Sequence, residues 1–73
     1  MASTSLLQAS AAQVLHSSPL PALRKLAVEE TDSEIILSGS VNSYYLKQLA
    51  QETVLPVLGG RRLLNRVQVE RDF

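Results

Sequence analysis

The chain has 73 residues, with seven Lys/Arg against seven Asp/Glu, a single histidine and no cysteine. Apolar residues make up 45% and charged residues 19%, values of a folded domain, so residues 1–73 are read as one domain with its core over about 5–70. The absence of cysteine excludes disulfides, thiolate zinc sites and thiol catalysis, and one histidine excludes a multi-histidine metal cage.

Residues 1–23 contain no Asp, Glu, Lys or Arg. A secretory signal needs a positive start and an uninterrupted apolar stretch, and a transit peptide needs arginines. Here Gln8, Ser10 and Gln13 break the apolar run and the first arginine is Arg24. The expectation is therefore a cytoplasmic location for the chain as given, or the envelope or periplasm if it is excised from a longer protein. No apolar run reaches the roughly 20 residues of a membrane span.

Leu7, Ala11, Val14 and Leu15 recur on one helical face and predict a helix over Leu6–Leu15. Ser5 and Gln8 fit a capping box at its start. Ser17-Ser18-Pro19 ends it, and Pro19 and Pro21 predict an extended connector over Leu20–Ala22. Leu26 and Val28 then alternate with Ala27 and Glu29, Thr31-Asp32-Ser33 is a polar turn, and Ile35, Leu37, Gly39 and Val41 form a second inward row. Two period-two segments around a short turn predict an antiparallel hairpin. Gly39, on the inward row, admits a close neighbour.

Asn42 and Ser43 are good N-caps for a second helix carrying Leu46, Leu49, Ala50, Thr53, Val54 and Val57 on one face. Pro56 stops or kinks it near Leu55. Gly59-Gly60 is a turn. A last strand over about 62–70 points Leu63, Val67 and Val69 inward with Asn65 in the same row, and Arg62, Leu64, Arg66 and Gln68 outward. The helix between the second and third strands requires a crossover connection, right-handed by rule. The expected fold is α+β: a two-layer sandwich in αββαβ order, with a three-stranded mixed sheet, two helices on one face and the other face open.

Four stretches together resemble a BON domain, a small module of bacterial envelope and osmotic-stress proteins. They are Leu26-Ala27-Val28-Glu29, Ile35-Ile36-Leu37-Ser38-Gly39-Ser40-Val41, the helix start at Ser43, and Leu63-Leu64-Asn65-Arg66-Val67-Gln68-Val69. The resemblance runs over roughly residues 5–70. Gly59-Gly60, where the family commonly has a Gly-Val step, and Pro56 depart from its pattern. The resemblance implies binding, to phospholipid or to an envelope protein, with no catalysis and no cofactor.

The residues themselves offer few sites. His16, near the end of the first helix, suits the helix dipole and has no partner ligands nearby. Glu29, Glu30, Asp32 and Glu34 bracket the hairpin turn but match no calcium loop, so they read as a solvated, charge-blunted hairpin. The serines lack a nucleophile elbow. Gly59-Gly60-Arg61-Arg62 could meet phosphate, yet the glycines follow a helix C-terminus, whose dipole repels anions.

Arg62 and Arg66 share the open sheet face with Leu64, Ile36 and Ala27, a mixed apolar and basic surface suited to lipid or protein. Tyr44-Tyr45 opens the second helix, at the end opposite the glycine turn; one tyrosine is expected at the core edge and the other at an interface. Candidate contact residues are therefore Arg61, Arg62, Leu64, Arg66, Ile36, Tyr44 and Tyr45. The leading function is a non-enzymatic binding module for phospholipid or an envelope protein. The alternative is a protein–protein adaptor that works without lipid and uses the uncharged first helix, with Leu6 outside its core face. A KH-like nucleic-acid binder is disfavoured by zero net charge, by the lack of a Gly-x-x-Gly loop and by strands without stacking aromatics.

Overall fold

The computed structural model describes residues 10–70. The first helix among the described residues, α1 (Ala11–His16), starts later than the pattern implies. Ser10 has an extended backbone at φ −82° and ψ 159°, and its Oγ accepts the Gln13 N–H at 3.0 Å. A serine that caps in this way terminates the helix on its N-terminal side, so no continuous helix runs over Leu6–Leu15. The Ser5/Gln8 box and Leu6 lie outside the described residues. The extended connector is also corrected, because Pro21 opens a short helix, α2 (Pro21–Arg24). Proline at the first helical position loses an N–H that had no intrahelical partner, and its fixed φ suits the turn. The turn buries Leu23, and the Arg24 guanidinium holds it by donating to the Ser18 carbonyl at 2.9 Å.

Strands β1 (Ala27–Glu30) and β2 (Glu34–Ser38) form the antiparallel hairpin, with Ala27 opposite Ser38 and Glu30 opposite Ile35. Thr31 builds its turn: the Thr31 N–H donates to the Glu34 carbonyl at 2.8 Å, and its Oγ1 accepts the Ser33 and Glu34 N–H groups at 3.3 and 2.9 Å. Such a side-chain turn satisfies backbone groups that the strands leave open.

Gly39 separates β2 from a two-residue β3 (Ser40–Val41). The chain then enters α3 (Tyr44–Val54), capped by Ser43 Oγ accepting the Leu46 N–H at 3.2 Å. A 3₁₀ turn over Leu55–Val57 carries Pro56 and ends the helix, as expected. The last strand appears as β4 (Arg62–Asn65), parallel to β2, and β5 (Gln68–Val69), parallel to β3. The break at Arg66–Val67 does not interrupt the ladder. Arg62, Arg66, Gln68 and Glu70 N–H groups donate to the Ser33, Leu37, Gly39 and Val41 carbonyls at 2.9, 2.8, 2.9 and 2.8 Å, in one unchanged register.

The sheet order is β1-β2-β4, with α1 and α3 packed against it and against each other. The core consists of Ala11, Leu15, Leu23, Leu26, Ile35, Leu37, Val41, Ala50, Val54 and Val67, with no buried polar residue among the described residues. Every strand residue in it comes from the inward row that the alternation marks.

Gly39 is the tight point. Its φ is +121°, and a Cβ there would lie 3.0 Å from Leu26 Cδ2. A side chain meets both backbone strain and a buried neighbour. Gly39→Ala is expected to lower unfolding stability by on the order of 1–3 kcal/mol in urea titration; an unchanged midpoint would contradict this packing.

Candidate binding surface

Strand register decides what the open sheet face carries. Glu29 lies opposite Ile36, and Ile36 opposite Leu64, so one row crosses all three strands. In the next row Glu34 lies opposite Arg62. Arg66 is exposed between the inward Asn65 and Val67, and its N–H continues the ladder. Ile36 and Leu64 are half-buried at the centre, while Glu29, Arg62 and Arg66 are exposed around them. The expected grouping of Arg62, Arg66, Leu64, Ile36 and Ala27 is thus present on one face. Pairing adds Glu29 and Glu34, which alternation within single strands does not reveal. Among the described residues the face carries Glu29 and Glu34 against Arg62 and Arg66, so it is electrically balanced rather than basic.

Arg61 belongs to a different place. Its Nη1 donates to Glu30 Oε1 at 3.2 Å, its Nε to the Leu58 carbonyl at 2.7 Å and its Nη2 to the Val57 carbonyl at 2.8 Å. Those carbonyls end the α3 segment and lack helical donors, so a guanidinium there satisfies them and meets the negative end of the dipole. Glu30 sits opposite the inward Ile35, and its Oε2 accepts the Ala12 N–H of α1 at 3.4 Å. One ion pair therefore links the first turn of α1, the end of β1 and the end of the α3 segment. Both of its side chains are only about one-fifth exposed, at 22% and 23%. Gly59 and Gly60, at φ +61° and +84°, make the turn that delivers Arg61. With its guanidinium engaged, Arg61 is not an exposed anion contact.

Asn65 has a comparable role. Its Nδ2 donates to the Lys47 carbonyl at 3.1 Å and to Gln51 Oε1 at 3.4 Å, and its Oδ1 accepts the Val67 N–H at 3.2 Å. The amide hooks the edge strand to α3 and occupies an N–H at the strand break. An amide side chain supplies donor and acceptor together, which explains a polar residue on an inward row.

Tyr44 and Tyr45 are 65% and 70% exposed. Neither packs at the core edge as expected; both follow the Ser43 cap on the solvent side of α3. Lys47 Nζ stands 5.8 Å from the Tyr44 ring centroid, within cation–π range. The tyrosines lie at the start of α3, whereas Arg61 binds beyond its end, so the separation expected from helix length holds.

His16 ends α1, and its Nε2 lies 3.4 Å from the Leu26 carbonyl. Among the described residues no group of three or more His, Asp or Glu side chains is gathered as a metal site, and no helix is long and apolar enough to cross a membrane. No protein-family model matches the chain, and neither curated proteins nor solved structures yield a match.

Arg61→Ala removes three hydrogen bonds and leaves Glu30 without its cation. Urea unfolding is expected to show a loss of about 1–3 kcal/mol, with Arg61→Lys recovering part of it. Full stability in the alanine variant would contradict the clamp.

Proposed function

We propose that the chain is a non-enzymatic binding module of the kind BON domains resemble, and that its open sheet face meets a protein rather than an anionic bilayer. The αββαβ order, the Gly39 approach and the Asn65 hook, all within the stretches that carry the resemblance, support the module reading. The observation that carries the choice of partner is the placement of Glu29 and Glu34 beside Ile36, Leu64, Arg62 and Arg66. Attraction to an anionic leaflet is about 1 kcal/mol per basic residue near the surface. Two carboxylates on the same face offset two guanidinium groups, and Arg61 is held by Glu30. Half-buried Ile36 and Leu64 present too little apolar surface to enter hydrocarbon, but they suit the centre of a protein contact with a charged rim. The same balance disfavours a nucleic-acid backbone, which needs net positive charge.

A ¹⁵N NMR titration at low salt with bicelles containing phosphatidylglycerol tests this, with phosphatidylcholine bicelles as reference. The expected result is no selective shift at Ile36, Arg62, Leu64 or Arg66. Saturable, salt-sensitive shifts at those amides would establish lipid docking instead.

A further inference from the structure

We infer that the partner is an extended acidic peptide, which adds as a further strand along the open edge of β4. The inference rests on reading the sheet face as a protein contact and names the chemistry of that contact. In the order β1-β2-β4, no described strand lies beyond β4. The ladder occupies only one side of this strand, where the Arg62 and Arg66 N–H groups donate to the Ser33 and Leu37 carbonyls. Backbone groups alternate between the two edges of a strand, so the N–H and C=O groups of Leu63 and Asn65 point away from β2. The next N–H on that side, at Val67, is taken by Asn65 Oδ1 at 3.2 Å. The open stretch is therefore Leu63–Asn65. A row of unpaired peptide groups is a template for another extended backbone.

The side chains select which backbone fits. Arg62, Leu64 and Arg66 project from the edge onto the open face, and both arginines are exposed. Glu34 stands across from Arg62 on β2, but the ion pair among the described residues, Glu30–Arg61, uses neither arginine. Residues directly opposite on paired strands lie about 5 Å apart at Cβ, and opposite charges there attract. The matching partner reads acid-x-apolar-x-acid. Its two acids, about 13 Å apart, face Arg62 and Arg66, and its apolar residue faces Leu64.

The other candidates fail on charge. The β1 edge carries Glu29 and Glu30, which repel such a peptide. A second copy of β4, paired antiparallel about Leu64, sets Arg62 of one copy against Arg66 of the other. The arginines thus bar self-pairing and admit an acidic strand. Pairing over five residues is a small contact, so binding is weak, and salt screens it.

An NMR titration of the whole ¹⁵N-labelled chain at low salt, to about 5 mM peptide, tests the strand addition. The probe is a capped peptide, Thr-Glu-Thr-Val-Thr-Glu-Thr. Two comparison peptides carry Lys at both Glu positions, or the original side chains on an N-methylated backbone. The expected result is saturable shifts and slowed amide exchange at Leu63 and Asn65. The Lys peptide is expected to bind about tenfold more weakly, and the N-methylated peptide to leave both amides unmoved. Arg62→Glu/Arg66→Glu is expected to reverse the preference between the Glu and Lys peptides. Circular dichroism reports whether that variant is folded, and the wild-type comparison stands without it. Silence at Leu63 and Asn65, or equal effects from either comparison peptide, would overturn the strand addition. Silence with silent bicelles overturns the strand addition alone; bicelle shifts overturn the protein reading on which it rests.

Discussion

The parallel register between the second and last strands is the constraint on which the rest depends. Side chains alternate faces along a strand, so a slip of one residue would turn Leu63 and Val67 to solvent and Arg62, Leu64 and Arg66 into the core. The ladder that runs from the Arg62 N–H to the Glu70 N–H fixes this alignment along the whole edge strand. Asn65 reinforces it from the helix side, because its amide reaches the Lys47 carbonyl and Gln51 only when Asn65 faces inward. Gly39 allows the neighbouring strand to pass Leu26 closely at the point where the sheet is extended. Core burial and surface charge pattern are thus two consequences of one alignment.

A short chain has little apolar surface with which to hold helix ends, and Glu30 and Arg61 take over part of that task. The carboxylate faces the start of α1, where a negative charge is favourable, and the guanidinium faces carbonyls at the end of the α3 segment, where a positive charge is favourable. Their mutual contact closes the layer at the end of the sheet away from Tyr44 and Tyr45. This local duty changes the functional picture, because an arginine that stands in sequence beside Arg62 acts as a structural brace while Arg62 remains on the surface.

Alternation and helical spacing made most of the fold legible. The hairpin, the Ser43 cap, the Pro56 stop and the inward rows follow from local patterns that tertiary packing does not oppose. The misreadings also have local causes. Apolar spacing through Leu7 and Ala11 extends smoothly across Ser10, but the serine side chain competes for the backbone and caps there. Two nearby prolines suggest an extended path, yet Pro21 sits where a helix tolerates it best. Tyr45 stands four residues before Leu49, a spacing that also suits the apolar stripe, yet both tyrosines are exposed and the stripe opens at Leu46. The candidate surface was half legible. Which residues share a strand face is a period-two property, but which strands lie side by side is not, so Glu29 and Glu34 joined the arginines only through pairing. Arg61 was unreadable for the same reason, since its partner Glu30 is distant in sequence.

Amide hydrogen exchange along the edge strand measures that register most directly. Slow exchange is predicted at Arg66, Gln68 and Glu70, whose N–H groups donate to Leu37, Gly39 and Val41, and faster exchange at Leu63 and Val69 between them and the strand ends. Protection shifted to the odd-numbered residues, or absent from the whole segment, would contradict the alignment and with it the charge pattern of the open face.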